Sequence, residues 1–310
     1  MSSPNPAVTV VIPHLNQPGA LETCLDSLDA QSIDRSAIEV IVVDNGSDSL
    51  PDLSSRSNVQ LLEEPKPGPG LARNRGVEAA RGDLLCFIDA DCRADSRWLE
   101  CAAALLAAAP PSTILGGDVR IWRNDPTRYG AIEAYESVFA YRFKMYIEKQ
   151  GYSGTGNLAV RRADFAKVGP FRGLEVAEDV DWGRRARASG MTIRYEPGMV
   201  VYHPARATLR ELFVKWDRHL HHELAAERVK RWWRIRWLGR AGMVLASPLV
   251  DAGKVLTSDR LTGWSARVKA IGVLVAVRSY RAWRMLGMMI STKEIVWNRS
   301  AKVDPVARVD

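Results

Sequence analysis

Between residues 8 and 88, short and nearly uninterrupted apolar runs alternate with segments of helical periodicity. The runs cover residues 8–12, 39–43 and 83–88, with a weaker one at 58–62, and the first two are rich in β-branched residues. Such runs are too short for buried helices and are typical of strands covered on both faces. Because the intervening helices can connect parallel neighbours, the predicted fold class is α/β with a largely parallel sheet.

The same periodicities predict further elements along the chain. Helices are predicted at residues 18–30, 71–80, 127–149 and 178–189, and the pattern remains helical from 208 to about 238. Strands are predicted at 113–121 and 157–160, and two more, at 192–195 and 199–202, would flank a Pro-Gly turn.

Polar residues follow three of the predicted strands at the point where each strand ends. His14 and Asn16 follow the first, residues 44–47 follow the second, and Asp89 to Asp91 follow the fourth. The carboxyl ends of parallel strands meet at one edge of a sheet, where ligands usually bind. The sequence therefore predicts a ligand site at this edge.

Asp89 and Asp91 form the triplet with the clearest chemical meaning. Two carboxylates directly after a buried strand repel each other unless a cation or solvent lies between them. Mg²⁺ and Mn²⁺ prefer such oxygen ligands and then bind substrate phosphates. The alternative is a solvated turn before a helix capped by Asp95 or Ser96. We favour the metal site.

Two loops at this edge also have both a structural and a functional interpretation. Residues 44–47, Asp-Asn-Gly-Ser, are typical of a turn, but the Asp44 carboxylate could accept a hydrogen bond from the imide N–H of uracil or thymine. Residues 67–76 place glycines before a helix start, where backbone amides and Arg73 attract phosphate, although a rigid linker would look similar.

Three acidic residues lie within the first four positions of the predicted helix at 178–189, namely Glu178, Asp179 and Asp181. The helix dipole favours acids there, but three exceed that need, so one is a candidate general base. His203 follows an apolar strand, where histidine is usually structural and can also bind a divalent metal.

Charge is distributed unevenly along the chain. Residues 206–310 hold 21 basic and 9 acidic side chains and seven of the ten tryptophans, whereas residues 1–205 hold 22 basic and 27 acidic side chains. We expect chemistry in the first part and docking to an anionic surface in the second. Residues 1–7 lack the basic cluster of a signal peptide, and no apolar stretch is long enough to span a bilayer. The four cysteines form no C-x-x-C pair and are expected to be reduced thiols.

Tryptophan and arginine alternate around residues 232–237. Val229, Trp233 and Trp237 recur at helical spacing, which predicts an amphipathic helix lying on a membrane surface. The alternatives are a helical subdomain packed on the core or a subunit interface, as in a homodimer. Nucleic acid is not expected as a partner. The predicted location is cytoplasmic, peripheral on the inner face of the cell membrane.

Six short motifs occur in an order that resembles the inverting, GT-A-type glycosyltransferases of family 2. They are Val-Ile-Pro-His-Leu-Asn at 11–16, Val-Val-Asp-Asn-Gly-Ser at 42–47, Gly-Leu-Ala-Arg-Asn-Arg-Gly at 70–76, Phe-Ile-Asp-Ala-Asp at 87–91, Gly-Thr-Gly-Asn-Leu-Ala-Val-Arg-Arg at 154–162 and Glu-Asp-Val-Asp-Trp-Gly-Arg-Arg at 178–185. The resemblance implies a GT-A domain, Rossmann-like with a mostly parallel sheet, at residues 1–205. The resemblance has no specific match beyond it, where the composition shift and the helical pattern predict a C-terminal helical extension at 206–310.

The resemblance also implies roles for individual residues. Asp179 would be the catalytic base, with Glu178 beside it. The nucleotide-sugar donor would be bound by Pro13, His14, Asn16, Asp44, Gly70, Arg73, Asp89, Ala90 and Asp91. The sugar or acceptor would contact Gly154, Thr155, Gly156, Asn157 and Trp182. The metal would be held by Asp89, Asp91 and His203. His14 is a departure, because Tyr is more usual there and would stack near the base.

The expected reaction is a metal-dependent, inverting transfer of a sugar from a nucleoside-diphosphate sugar, of UDP or dTDP type, to an acceptor hydroxyl. The expected metal is Mn²⁺ or Mg²⁺. The acceptor would be a lipid-linked or cell-surface glycan precursor in polysaccharide biosynthesis; a soluble small-molecule or peptide acceptor is the alternative. A sugar-1-phosphate nucleotidyltransferase is disfavoured, because residues 13–16 are not a glycine-rich basic loop. A non-enzymatic binding module would leave the carboxylates at 44, 89, 91 and 179 unexplained.

Overall fold

The computed structural model of the chain describes residues 6–290, which divide into two compact units. The first unit consists of residues 6–122 and 141–204, and the second of residues 123–140 and 205–290. Trp297 and the rest of residues 291–310, which the sequence analysis assigns to the basic region, lie outside the described residues.

The first unit contains an eight-stranded sheet with the strand order β3-β2-β1-β4-β7-β6-β8-β5. Its strands are β1 (Val8–His14), β2 (Ile38–Asp44), β3 (Val59–Glu63), β4 (Leu84–Ile88), β5 (Arg93–Ala94), β6 (Thr113–Trp122), β7 (Asn157–Arg161) and β8 (Thr192–Pro204). β1 pairs in parallel with both β2 and β4, whereas β7 is antiparallel to its two neighbours. The predicted α/β class is confirmed.

Helices cover both faces of this sheet. They are α1 (Pro18–Asp29), α2 (Pro69–Ala79), α3 (Trp98–Ala108), the short α5 (Phe143–Met145), α6 (Arg162–Val168) and α7 (Glu178–Ala188). Alternate β1 residues face opposite ways: Val10 and Ile12 belong to one hydrophobic cluster with side chains of α1 and α3, and Val11 to another with side chains of α2, α6 and α7. Burial on both faces explains why the strand sequences show no polar alternation.

The long helix predicted at 127–149 is wrong. The structure instead has α4 (Ala131–Phe139), the short α5 and a π-helical turn at Tyr146–Gln150. The helix is interrupted because Ala140 is extended and Tyr141 adopts a left-handed conformation with φ of 45°. The interruption coincides with the boundary between the second and the first unit. Helical periodicity continues across it and does not reveal it.

The two short strands predicted around a Pro-Gly turn are also wrong, because they form one strand, β8. β8 runs parallel to β6, with Glu196 paired to Gly117 and Val200 paired to Asp118. The extra residues, including Pro197 and Gly198, are absorbed in a bulge between these two pairs. Proline and glycine within a strand commonly mark a bulge as well as a turn.

The second unit is helical. Besides α4 it contains α8 (Leu209–Arg228), α9 (Trp233–Ala246), α10 (Pro248–Leu256) and α11 (Trp264–Ile290). Its core comprises two hydrophobic clusters, one joining α4, α8, α10 and α11 and the other joining α8, α9 and α11. Within residues 6–290, no helix combines the length and the apolar character that spanning a bilayer requires.

The single amphipathic helix expected through residues 229–237 is wrong. α8 ends at Arg228, Trp232 is left-handed with φ of 61°, and α9 begins at Trp233. Trp237 is fully buried, and its Nε1 donates to the carbonyl oxygen of Met285 at 2.9 Å. Trp237 is therefore a core residue of the second unit, whereas Trp232 and Val229 are exposed.

Candidate active site

A cleft of about 600 Å³ opens in the first unit beyond the carboxyl ends of β1 and β4. Twelve of the residues predicted from the sequence line it: Pro13, His14, Arg73, Asp89, Ala90, Asp91, Gly154, Thr155, Gly156, Glu178, Asp179 and His203. These residues come from distant parts of the chain, so the sheet order and the position of α7 bring them together.

Five other predicted residues do not line the cleft. Asn16 joins the loops after β1 and β2, since its N–H donates to Ser47 Oγ and its side-chain oxygen accepts from the Asp48 amide. Gly70 is packed so closely that a Cβ there would lie 2.7 Å from the carbonyl oxygen of Arg172. Asp44 is buried beneath His14.

Asn157 and Trp182 are also buried behind the cleft. Asn157 donates to the carbonyl oxygens of Asp118 and Met199, both at 2.8 Å, and so connects β7 with β6 and β8. The indole N–H of Trp182 donates to the carbonyl oxygen of Gly169 at 2.9 Å. In this structure both residues support the cleft wall, and their predicted contact with sugar or acceptor stays a prediction.

His14 and Asp44 are register partners on β1 and β2, and His14 Nδ1 lies 2.9 Å from Asp44 Oδ1. His14 Nε2 accepts from the Gln17 amide, so Nδ1 is the ring nitrogen that donates to Asp44. Burial acts to raise the pKa of Asp44. Hydrogen bonds from Ser47, His14 and the Gly46 amide outweigh burial and hold this pKa below its ordinary value.

Arg73 connects two sides of the cleft. Its side chain is only 4% exposed, and it contacts Asp89 Oδ1 at 2.6 Å and Glu178 Oε1 at 3.3 Å. These contacts join the end of β4 to the start of α7. The buried Nε–H of Arg73 has no acceptor among residues 6–290. A buried donor without an acceptor is costly, and a ligand oxygen would satisfy it.

Asp91, Cys92 and His203 form a group whose potential ligand atoms all lie within 4.8 Å of one another. His203 Nδ1 lies 2.6 Å from the Pro204 carbonyl oxygen and must donate to it. This bond directs Nε2 toward Asp91 Oδ2, at 3.2 Å, and toward the Tyr141 hydroxyl, at 2.9 Å. An imidazole oriented in this way and a carboxylate suit a divalent metal such as Mn²⁺.

Asp89 does not belong to that group, because its carboxylate is bound by Arg73. A Cβ on Gly156 would lie 2.6 Å from Asp89 Oδ2, so only glycine allows the loop before β7 to pass this close. The predicted role of Asp89 in metal binding stays a prediction. Burial acts to lower the pKa of His203, but the Asp91 carboxylate outweighs burial and raises it.

The three acids of α7 have different surroundings. Asp181 is paired with Arg172 at 3.2 Å and Arg185 at 2.8 Å, and Glu178 is bound by Arg73. Asp179 has no ion pair among the described residues and accepts the Val180 amide. Burial and then the Glu178 charge raise the pKa of Asp179. Glu178 and Asp179 both line the cleft. Asp179 is the better suited of the two to accept a proton, because its pKa is raised and no cation is paired with it among the described residues.

Tyr141, Phe143 and Tyr146 also line the cleft and were missed by the sequence analysis. They lie within the segment that was predicted as one long helix, where their aromatic side chains look like ordinary core residues. A signal was present, since seven of the fourteen Phe and Tyr residues fall between 129 and 152. Aromatic rings that line a polar cleft can stack against a sugar or another flat apolar face.

The fold is that of the GT-A glycosyltransferases. The sequence profile of "Glycosyl transferase family 2" matches residues 9–169, and the chain belongs to that family. It is 33% identical over 214 residues to glycosyltransferase AglE of Haloferax volcanii, covering 66% of this chain and 69% of that protein. It is 29% identical to a pre-mycofactocin glycosyltransferase of Mycobacterium tuberculosis, covering 66% of this chain but only 44% of that protein. The predicted enzyme class, glycosyltransferase, is confirmed.

Solved structures agree on the fold. The mannosyltransferase PcManGT of Pyrobaculum calidifontis, in complex with GDP-Man and Mn²⁺, superimposes with a TM-score of 0.55 at 18% identity, covering 94% of this chain and 88% of that one. Residues 1–349 of S. aureus TarS with UDP-GlcNAc give a TM-score of 0.50 at 19% identity, covering 90% and 92%. At these identities the likeness concerns the fold alone.

The effect of the Glu178 charge on the pKa of Asp179 can be tested directly. Glu178→Gln should lower the pKa of Asp179, because it removes a like charge and leaves Arg73 free to stabilise the carboxylate. The pKa is measured by NMR titration of ¹³C-labelled carboxyl groups. Glu175→Gln, which removes a charge from the exposed loop before α7, is the control. An unchanged pKa in Glu178→Gln would show that burial alone sets it.

Proposed function

We propose that this chain transfers a sugar from a nucleoside-diphosphate sugar to an acceptor hydroxyl, with inversion at the anomeric carbon. The observation that carries the proposal is the arrangement in one cleft of three groups with different tasks. These are a carboxylate of raised pKa at Asp179, a buried arginine with a free Nε–H at Arg73, and the Asp91–His203 pair. They correspond, in that order, to a catalytic base, a hydrogen-bond donor for a phosphate group and a metal site.

Arg73 and a bound metal ion would supply the positive charge that binds the nucleotide-sugar donor. Arg73 Nε–H would donate to a phosphate oxygen, and Asp91 and His203 would hold Mn²⁺ or Mg²⁺. When bound, the metal ion neutralises charge on the leaving diphosphate. PcManGT with GDP-Man and Mn²⁺ and TarS with UDP-GlcNAc support a nucleotide-sugar donor. We propose that the donor is a UDP or dTDP sugar. His14, which Asp44 orients, would lie near the uracil or thymine ring.

The reaction then needs one proton transfer. The acceptor oxygen attacks C1 of the sugar while its proton passes to an Asp179 carboxylate oxygen. The bond from C1 to the diphosphate oxygen breaks, and its electron pair leaves with the nucleoside diphosphate. Attack from the opposite face inverts the anomeric configuration. Glu178 keeps Arg73 in position and raises the proton affinity of Asp179. Tyr141, Phe143 and Tyr146 form an aromatic wall suited to an acceptor.

We propose that the second unit brings this enzyme to an acceptor carried by a lipid. Around the start of α9, Val229, Trp232, Ile235 and Leu238 are between 52% and 86% exposed. Arg231 and Arg234 lie over Trp232 and Trp233, at 5.2 Å from each ring centroid. Exposed tryptophan interleaved with arginine suits the headgroup region of an anionic membrane. A lipid-linked glycan precursor is therefore the proposed acceptor, at the inner face of the cell membrane.

The proposed base is tested by Asp179→Asn. This variant should bind donor nucleotide normally but turn over at least about 10²-fold more slowly, because the amide accepts no proton. Asp181→Asn, two residues along the same helix and paired with arginines, is the matched control and should keep most activity. Turnover is measured as metal-dependent hydrolysis and transfer from radiolabelled nucleotide sugars. If Asp181→Asn lost turnover and Asp179→Asn kept it, Asp181 would be the base and the assignment of Asp179 would be wrong.

The proposed metal site is tested by measuring Mn²⁺ binding, which is detected as a loss of the EPR signal of free Mn²⁺. Asp91→Asn and His203→Gln should each weaken binding about tenfold or more, because each removes a ligand. Asp95→Asn, four residues beyond Asp91, is the control. EDTA should abolish transfer by the wild type. Equal Mn²⁺ affinity in all four proteins would remove the metal from this site.

The proposed membrane contact is tested by vesicle co-sedimentation. Trp232→Asn with Ile235→Ser should reduce binding to anionic vesicles, because an exposed indole and an exposed alkyl group are removed and Asn tolerates the left-handed backbone. Trp264→Asn, at another exposed tryptophan, is the control. Binding by the wild type should weaken at high salt. Equal sedimentation of the double variant and the wild type would favour a packing or subunit interface.

A further inference from the structure

A cluster of cations lies in the second unit where α8 packs against α11. We define the basic cluster as Lys215, Trp216, Arg218 and His219 of α8 together with Arg281 of α11. Lys215, Arg218 and His219 share one face of α8, because they are three or four residues apart. None of these residues lines the donor cleft, which lies within the first unit.

Arg281 is the unusual member. The residue is 5% exposed, and its guanidinium lies 3.8 Å from the centroid of the Trp216 ring. Within residues 6–290 no carboxylate is close enough to form an ion pair with it, and its buried Nε–H has no acceptor. Burying a cation and a donor without partners is costly, and proteins normally pair such groups. The packing of α8 against α11 thus leaves a buried donor unsatisfied.

Nearby carboxylates offset this charge only in part, because other cations already bind them. Glu136 is bound by Arg206, and Lys215 is only within 4.0 Å of the same oxygen. Asp251 is paired with Arg278 at 2.8 Å and Glu223 with Arg240 at 2.9 Å. Asp217, within the same stretch of α8, is paired with Arg284 at 2.8 Å. Each of these four acids has its own arginine, which leaves Lys215, Arg218 and Arg281 in excess.

Burial and neighbouring cations both lower the pKa values of three members of the cluster. Burial, followed by the charge of Arg206, lowers the pKa of Lys215 to about 8. Burial and then Arg278 lower the pKa of Arg281 to about 10. Burial and then Lys215 lower the pKa of His219 to about 4. All three shifts disfavour positive charge, as expected where the local potential is already positive.

We propose that the basic cluster binds a phosphate group. Lys215, Arg218 and Arg281 all act electrostatically on His219. A guanidinium fork together with an ammonium matches the several oxygens and the double charge of a phosphate better than a single carboxylate does. Arg218 and His219 are exposed, so the cluster reaches from the buried Arg281 to the surface. The phosphate belongs either to a soluble phosphate ester or to a lipid headgroup. This site is independent of glycosyl transfer in the first unit.

The experiment measures binding of inorganic pyrophosphate to the full chain by calorimetry, in EDTA so that a metal cannot recruit the anion to the donor cleft. Lys215→Met and Arg281→Met should each weaken binding at least tenfold. Their matched controls on α11 are Lys269→Met and Arg284→Met, which remove the same charge outside the cluster. Because none of these four residues lines the donor cleft, a loss of affinity in the cluster variants alone separates this site from the cleft.

Thermal unfolding distinguishes a binding role from a structural one. Without ligand, Arg281→Met should unfold at the same or a higher temperature than the wild type, because it removes an unpaired buried cation. Pyrophosphate should raise the unfolding temperature of the wild type and of the controls only. If Arg281→Met does not fold, Lys215→Met decides. Unchanged pyrophosphate affinity in the cluster variants would overturn the proposal.

Vesicles identify the source of the phosphate. Preferential sedimentation of the wild type over Lys215→Met with phosphatidic acid vesicles, compared with phosphatidylcholine vesicles, would assign a lipid headgroup. Pyrophosphate binding without that preference would assign a soluble ester. Binding of neither pyrophosphate nor phosphatidic acid by the wild type would overturn the proposal, whatever the glycosyl transfer assay gives.

Discussion

The catalytic arrangement depends on the two ion pairs of Arg73. Its buried guanidinium contacts Asp89 after β4 and Glu178 at the start of α7, so it joins the sheet to the helix that carries Asp179. Two carboxylates at these positions would repel each other without it. Removing one partner would leave a buried charge uncompensated. The free Nε–H shows that the same residue still has a donor available for a ligand.

The carboxylates around the cleft differ in chemistry because their surroundings differ. Asp44 is surrounded by hydrogen-bond donors and has a lowered pKa, whereas Asp179 is partly buried beside Glu178 and has a raised one. Asp91 faces an imidazole, and Asp181 is held by arginines. One residue type therefore supplies a structural anchor, a candidate base, a candidate metal ligand and an ordinary ion pair. Environment, not residue type, assigns these tasks.

The basic C-terminal part illustrates a similar division. Its excess charge and its tryptophans suggest one amphipathic surface, but the described helices separate them into distinct settings. Trp237 is a core residue, Trp232 is exposed among arginines, and Trp216 lies beneath the buried Arg281. Each setting has its own consequence, since a core indole stabilises packing, an exposed one can meet a membrane, and a ring under an arginine helps hold a cation out of water.

The sequence by itself determined the alternation of strands and helices, the edge of the sheet at which the site forms and most residues that line the cleft. It could do so because apolar runs and strand-end polar residues are local signals that parallel pairing brings together. It did not reveal the interruption at Tyr141, the continuous β8 or the break at Trp232. Those features depend on contacts between distant segments, such as the pairing of β6 with β8 and the hydroxyl of Tyr141 on His203. Only the tertiary structure decided that Glu178 is paired while Asp179 lacks an ion pair among the described residues, and which arginine is buried without one. The partner of Glu178 is Arg73, about a hundred residues away, and Arg281 is buried against Trp216 of another helix.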